Sequence, residues 1–361
     1  MANLVSATLR LWIYTGDFAS QPAEPNYVIY KEKLPTSEKI IFEIGELVKD
    51  YIDVEFTGSY YDIKQSAWAK WEITRLFDDE STDVDISGSA IGFLGYGYFQ
   101  DGINPQLSND LLQSNLNIFH NCGEPLYIPI LMGENGVFKV SYYDGTNLIS
   151  SNTFGNQLTA LKADTTEYTA DTGLLTADMN YLKNTSSNPI VTPTSPQEPF
   201  NRVEIITASG ETITLNVYCL DCSKYNMYKV SFINKFGVVQ DMWFDKKRTD
   251  SLDVNKDSYK RNTLNLLGDT VKYSVNSAQM MPHDIIGNSR ITMNTGFVTE
   301  DYNELIQELM LTESAWIHEE GDVTPIVPKT TSFTYKTTTD DKLINFTVEF
   351  DYAFDTINNI R

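Results

Sequence analysis

The sequence predicts a mainly β protein, built as two or three β-sandwich or barrel-like domains with one or two short helices. Four observations carry that prediction. The chain has 361 residues, too many for one ordinary core. Hydrophobic residues make up 41% and aromatic residues 12%, with 21 Tyr and 18 Phe, so there is material for several cores. Charged residues stand at 21%, with the polar balance largely from Ser, Thr and Asn, and many Tyr, Phe, Val, Ile and Thr with modest Lys, Glu and Ala make a strand-favouring composition. Short alternating runs of apolar and polar residues then recur between Gly, Pro, Asp and Asn turn signals.

Along the chain, Thr8–Tyr14 (TLRLWIY) and Tyr27–Tyr30 alternate as strands. Lys39–Tyr51 reads as a strand through Ile40, Phe42 and Ile44. It passes into a short helix through Leu47, Val48 and Tyr51. Ala67–Phe77 is a strand whose alternation breaks at Lys70, which a bulge accounts for. Residues 87–105 place glycines among Phe93, Tyr96, Tyr98 and Phe99. Leu126–Met132 and Gly136–Tyr143 read as a hairpin, and Asp144-Gly145 turns the chain into Asn147–Ser150.

The pattern weakens after residue 150, and residues 183–200 carry four prolines with hardly any periodicity, as a linker would. Beyond it, Arg202–Ala208 and Glu211–Cys219 flank Ser209-Gly210 as a hairpin. Lys229–Asn234 and Met242–Asp245 form another around Phe236-Gly237. A helix follows near residues 300–313, with Thr299 as N-cap, Glu300 and Asp301 in its first turn, and Tyr302, Leu305, Ile306, Leu309 and Met310 on one face. A last hairpin joins Thr331–Lys336 to Leu343–Phe354. The expected division is therefore an N-terminal β domain over 1–145, a Ser/Thr/Asn-rich segment with the linker over 146–200, and a C-terminal β domain over 201–361.

The net charge is −22, from 49 acidic and 27 basic residues. It is uneven, at −15 over residues 1–200 and −7 over residues 201–361. Such a chain repels phosphate backbones, so specific nucleic-acid binding is not expected. A like-charged channel would nonetheless let DNA pass without sticking. No apolar run approaches the roughly 20 residues that span a membrane, and the first ten residues lack the basic and apolar regions of a signal peptide. Three cysteines, an odd number in a long chain, argue against a disulfide scaffold and for a protein made in a reducing cytoplasm.

The candidate chemistry is sparse. Cys219 and Cys222 form a CxxC motif, but zinc needs four ligands and no second pair follows. The remaining partners for a composite metal site are Cys122 and His120, about a hundred residues away; ordinary thiols at a strand end are the plainer reading. Asp78–Asp85 gathers carboxylates without EF-hand spacing and reads as a solvated acidic loop. The histidines His120, His283 and His318 fall in no triad motif, and neither a phosphate-binding loop nor a metalloprotease motif occurs. Trp68, Trp71, Tyr96 and Tyr98, with Phe99, are candidates for a carbohydrate or partner contact, set against plain strand packing. Lys246, Lys247, Arg248, Lys256, Lys260 and Arg261 make the one local basic concentration, interleaved with Asp245, Asp250, Asp253 and Asp257; it suits the acidic half of a neighbouring subunit, set against a plain solvated loop. No cofactor is implied.

Several stretches carry a resemblance. Cys222–Asn226 with Val230–Phe244 (VSFINKFGVVQDMWF) is similar to a segment of tail and neck proteins of phages infecting Bacteroidetes and related marine bacteria. So are Ile41–Tyr51, Gly95–Gln106 and the run from Leu311 to Ala353, with Pro325-Ile-Val-Pro-Lys and Leu343–Ala353. The resemblance implies a virion structural component with no catalytic residues to carry over. Assembly in the host bacterial cytoplasm into a ring or tube is then expected, with itself and other virion proteins as partners. Residues 146–200 and the C-terminal end are the expected inter-subunit arms. The alternatives are a carbohydrate- or receptor-binding module of an adhesion device and a hydrolase with paired carboxylates.

Overall fold

The computed structural model describes residues 3–15, 20–60, 65–102, 111–131, 138–154, 190–191, 195–206, 210–220, 224–267, 270–330, 332, 334–337 and 344–357. Within them the fold is mainly β, as expected, with two short helices and three principal sheets.

The first sheet comprises β1 (Leu4–Tyr14), β2 (Tyr27–Glu32), β3 (Ser66–Phe77) and β4 (Thr82–Phe93), with helix α1 (Gly45–Lys49) between β2 and β3 in the chain. The strands lie antiparallel in the order β2-β1-β3-β4. Period-2 alternation puts Leu9, Leu11 and Ile13 on one face, where they pack with Val48, Ile52, Ala67 and Ala69. The strand expected at residues 40–44 is absent. Phe42 and Ile44 instead lead into α1 and cover that core from outside the sheet. The bulge in β3 also moves: its register against β4 shifts between Ile73 and Arg75, while Lys70 stays in step with Trp12 and Ser89. The broken alternation at Lys70 has another cause. Trp68 and Trp71 lie on opposite faces, Trp68 beside Tyr14 and Trp71 in the α1-side core.

The second sheet draws on β5 (Asn117–His120), β7 (Phe138–Asp144), β8 (Asn147–Phe154), β10 (Arg202–Ile206) and β11 (Thr212–Cys219), while β6 (Ile130–Leu131) and β9 (Ile190–Val191) pair as a separate two-stranded piece. Its order is β5-β11-β10-β7-β8, with β5 parallel to β11. The β10–β11 hairpin is the expected one. The hairpin expected between 126–132 and 136–143 does not form, because β7 pairs with β8 and β10. Leu126, Ile128 and Ile130 still alternate into the core, packing on Val140, Tyr142, Val203 and Leu215. Because strands from 117–154 and 202–219 share this sheet, the boundaries expected at 145 and 201 cut through one unit. The described strands group as 4–93, 117–219 and 228–352.

The third sheet has seven strands. In chain order the elements are β12 (Tyr228–Ile233), β13 (Val239–Phe244), β14 (Thr249–Lys260), β15 (Leu264–Leu267), β16 (Thr270–Tyr273), β17 (Met280–Asn294), α2 (Tyr302–Leu311), β18 (Ala315–Glu319), β19 (Asp322–Pro328) and β20 (Thr347–Tyr352). The sheet order is β13-β12-β18-β19-β20-β17-β14, with β15 and β16 a separate small hairpin. Helix α2 buries Tyr302, Leu305, Ile306 and Leu309 on one face of the sheet, against Val230, Phe232, Ile291, Met293, Val348 and Phe350. The last hairpin differs from expectation. β20 pairs with β19 and β17, and residues 334–337 form no strand. The Asn303 side chain of α2 explains this: its Nδ2 donates to the Lys336 carbonyl at 2.7 Å and its Oδ1 accepts from the Lys336 N–H at 2.9 Å. That pair of bonds does for Lys336 what a neighbouring strand would do.

The β12–β13 turn meets the first sheet at close quarters. Asn234 is fully buried and uses its side chain completely. Its Nδ2 donates to the Leu112 carbonyl (2.7 Å) and to Gln240 (2.8 Å), and its Oδ1 accepts from Phe236 N (3.0 Å) and Val238 N (3.3 Å). Gly237 closes the turn at φ +79°, with the Leu94 and Gly95 backbone so near that an added Cβ would lie 2.7 Å from it. Tyr96 N then donates to the Lys235 carbonyl at 2.8 Å, joining residues near β4 to this turn.

Candidate functional site: an exposed arm, a buried polar network and a tyrosine cleft

Strands β14 and β17 continue past the body as a two-stranded arm. They pair from Thr249↔Thr292 to Lys260↔Met280, and all twelve residues of β14 are exposed. The part of the ribbon beyond the β20 pairing, Leu252–Lys260 opposite Met280–Ser289, is about 30 Å long at roughly 3.3 Å per residue. The β15–β16 hairpin lies between its two strands in the chain, at the far end. Alternation assigns Asp250, Leu252, Val254, Lys256, Ser258 and Lys260 to one face, opposite Ile291, Ser289, Gly287, Ile285, Pro282 and Met280. Ile291 belongs to the core under α2. The core-facing side of the sheet therefore runs out onto the arm, where Leu252 is 55% exposed, Val254 46% and Met280 58%. A two-stranded ribbon is marginal in water by itself, and an uncovered apolar face adds to that.

Charges divide along the arm. At its root, Arg290 bridges Asp253 and Asp351, each at 2.8 Å. Burial alone would raise the Asp351 carboxyl, but hydrogen bonds from Arg290 and Lys329 hold it below its ordinary value. Arg248 lies over the Tyr228 ring at 4.9 Å and pairs with Asp250 and Glu319. Toward the tip, Lys256, Lys260, Arg261 and Lys272 make no ion pair among the described residues. Residues 256–275 hold those four cations against Asp257 and Asp269, a local positive excess in a chain of net charge −22.

The other face of the third sheet, opposite α2, carries a polar network that sequence reasoning missed. Tyr60 donates to Asp241 at 2.7 Å, and Ser231 Oγ donates to Asp241 at 2.6 Å. Nε2 of His318 lies 2.7 Å from Ser231 Oγ. With both Tyr60 and Ser231 donating to the carboxylate, the consistent arrangement has His318 Nε2–H donating to Ser231. Lys229 stands over the Tyr60, Tyr127 and Trp243 rings at 5.6–6.0 Å, and Tyr60 stacks on Tyr127 at 3.8 Å. Burial, and then Lys229, push His318 down to about 4, so it is neutral near pH 7. Burial and the Asp241 charge push the Tyr60 hydroxyl well above its ordinary value.

Ser231 is thus within hydrogen-bond reach of both His318 and Asp241, but not as a nucleophile requires. The carboxylate engages the serine instead of the far imidazole nitrogen, and Ser231 is fully buried. The arrangement binds the segment bearing Phe56 and Tyr60 to the C-terminal sheet, where both pack with Ile233, Val239 and Trp316. The only sequence trace of it is the polar alternation of Lys229 and Ser231 opposite Val230 and Phe232.

The structure disperses the cysteine candidates. Cys122 and Cys219 are joined by a disulfide, with Cα atoms 5.4 Å apart. This corrects the expectation of free thiols: the parallel pairing of β5 with β11 sets Cys219 opposite His120, two residues from Cys122. The ring of His120 is hydrogen-bonded through Nε2 to the Glu124 carbonyl at 2.8 Å and meets Trp243 edge-on at 5.8 Å. Cys222 lies outside the described residues. Among the described residues no three His, Cys, Asp or Glu side chains converge as metal ligands. Much of the acidic 78–85 run is engaged locally: Asp78 accepts from Asn3, Asp79 from Ser81 and Asp83 from Arg75.

The aromatic candidates separate as well. Trp68 is 2% exposed beside Tyr14, and Trp71 lies against Gly88 on the opposite face. Tyr96 and Tyr98 meet edge-on at 5.9 Å. Tyr98 lines a cleft of about 410 Å³ with Tyr335 and the first turns of α2 through Glu300, Asp301, Asn303, Glu304 and Gln307. Burial, with Glu308 and Glu304 nearby, pushes the Tyr98 hydroxyl up to about 12. Among the described residues no helix is long and apolar enough to cross a membrane. No protein-family model matches the chain, and no curated protein matches it.

Proposed function

We propose that the chain is a structural subunit of a larger assembly, a phage virion component of tail, neck or distal-tail type, and that it performs no catalysis. The observation that carries this reading is the arm. An apolar sheet face is covered by α2 in the body and left bare over Leu252, Val254 and Met280, as a surface made for a neighbour would be. Assembly takes place in the host cytoplasm through β-rich contacts between copies and with other virion proteins. The acidic body, at −22 overall, suits a wall past which DNA slides without binding. The arms expected at 146–200 fall mostly on residues outside those described; the arm at 249–294 supports the reading in their place.

Light scattering coupled to size-exclusion chromatography of the purified full chain tests it, with negative-stain micrographs of the same fractions. Multimers of ring or tube form are expected. A strict monomer at high concentration that binds no virion partner would sink the proposal.

A second reading has one specific observation in its favour. The cleft beside α2 offers two tyrosine rings with amides and carboxylates, the side-chain types that contact a sugar. In that case the chain is the carbohydrate- or receptor-binding module of an adhesion device. Saturable glycan binding that disappears in Tyr98→Ala would favour it, and no binding across a glycan array would remove it.

A further inference from the structure

We infer that the arm of one copy docks head-to-tail on the acidic N-terminal half of a second copy, with its bare apolar face inward and its cationic tip against carboxylates. This rests on the assembly reading above and names the partner and the polarity of the contact.

Three observations converge on it. The apolar face of the arm is continuous with the core face under α2, so whatever covers it extends a hydrophobic layer already present. The tip holds Lys256, Lys260, Arg261 and Lys272 with no ion-pair partner among the described residues, whereas the root cations Arg248 and Arg290 are each paired. The complementary charge is elsewhere in the same sequence: residues 1–200 carry 26 acidic and 11 basic side chains. Such charge orients an approaching partner over about a Debye length, roughly 8–10 Å at ordinary salt.

Arm-on-arm pairing is the competing geometry, and the charges argue against it. Of the arm's carboxylates, Asp250 and Asp253 already hold Arg248 and Arg290, which leaves Asp257 and Asp284, opposite each other on the ribbon, to face another tip's four cations. Across the whole arm, residues 249–294 carry five basic and five acidic side chains, so two arms have no net attraction. An arm meeting a body is a heterologous contact, which closes into a ring or continues as a tube according to the rotation between copies.

The test is photo-crosslinking in the full-length chain, with p-benzoylphenylalanine at Val254 and a 1:1 mixture of unlabelled and nitrogen-15-labelled protein. Mass spectrometry then identifies the partner peptide and whether it came from another copy. Crosslinks from Val254 to residues 1–200 of another copy are expected, and their yield should fall as salt is raised. The full-length quadruple variant K256E/K260E/R261E/K272E should weaken self-association at least about tenfold and lose most of its salt dependence. Crosslinks joining arm to arm, crosslinks confined to one chain, or oligomers that form without any arm crosslink would overturn the inference and leave the assembly reading standing. Crosslinks in an infected-cell lysate that fall only on a different protein would also overturn it. Absence of any oligomer in light scattering would take down both, so the two failures are distinguishable.

Discussion

Tyr60 donates its phenolic proton to Asp241 at 2.7 Å, across a sequence separation of 181 residues. One short polar contact therefore joins a loop near the N-terminus to a strand of the C-terminal sheet. Tyr60→Phe keeps the ring and its stack on Tyr127 but removes a donor from a part-buried carboxylate. The expected cost is about 1.5–3 kcal/mol, the range for a hydrogen bond to a charged group. Tyr60→Ala should cost more, because Phe56, Trp316 and Tyr127 lose a packing partner too. Urea titrations of the two variants check this. Equal stability of Tyr60→Phe and the native chain would show that the contact adds nothing.

The same network makes stability depend on pH. His318 titrates at about 4 in the fold against an ordinary 6.5, because burial and Lys229 disfavour its charge while Asp241 pulls weakly the other way. Between those values the unfolded chain binds more protons than the folded one, so stability rises with pH. The contribution is full above pH 6.5, falls as the pH drops toward 4 and is level below. His120, lowered mainly by burial, acts in the same direction, and Glu308, raised mainly by burial, acts in the opposite one. Comparison with His318→Gln isolates the single residue. The native chain should lose more midpoint between pH 6.5 and 4 than the variant, by roughly 1–3 kcal/mol once solvent screening of a partly exposed group is allowed for. Parallel curves would count against a buried, neutral His318.

Cys122 and Cys219 close a loop of 97 residues. The chain-entropy effect of such a loop is about 3–5 kcal/mol, and the bond also ties the two parallel strands β5 and β11. With three cysteines in the sequence, denatured unreduced protein should titrate one thiol and reduced protein three. Reduction, or Cys122→Ser, should lower the denaturation midpoint, and Cys222→Ser should not. Three free thiols in protein purified under air, without reductant, would contradict the pairing.

How far the sequence revealed this architecture depended on distance along the chain. The β10–β11 and β12–β13 hairpins and α2 were legible because the signals for each, a turn glycine or a 3.6-residue stripe, lie within the element itself. β14 was not. Its twelve residues are exposed, so only Leu252 and Val254 break a polar run that reads as a charged loop, although the basic cluster within it pointed to a neighbouring subunit. β20 was recognised as a strand and given the wrong partner, because nothing local reveals that Asn303 occupies Lys336. Tyr60 and Asp241, like Cys122 and Cys219, meet only once the sheets are assembled. Trp68 and Trp71 looked like a platform because a one-letter string hides that positions three apart on a strand face opposite ways.

The turn of the β12–β13 hairpin should tolerate substitution poorly. Gly237 combines φ +79° with backbone atoms of Leu94 and Gly95 that an added Cβ would approach to 2.7 Å. Gly145 has a comparable φ of +58° but open space around it. Gly145→Ala therefore reports the left-handed conformation alone, expected to cost about 1–2 kcal/mol. Gly237→Ala adds a collision with main chain, which a rotamer change cannot relieve, so its cost should exceed that of Gly145→Ala by about 2 kcal/mol or more. Asn234→Ala should be comparably severe, since it leaves the Leu112 carbonyl, Gln240 and two backbone N–H groups without their partner in a fully buried place. Thermal and urea denaturation of the three variants supply the comparison. If Gly237→Ala and Gly145→Ala were equally mild, the close approach of the first sheet to this turn would be wrong, and with it the Tyr96–Lys235 bond that ties the two together.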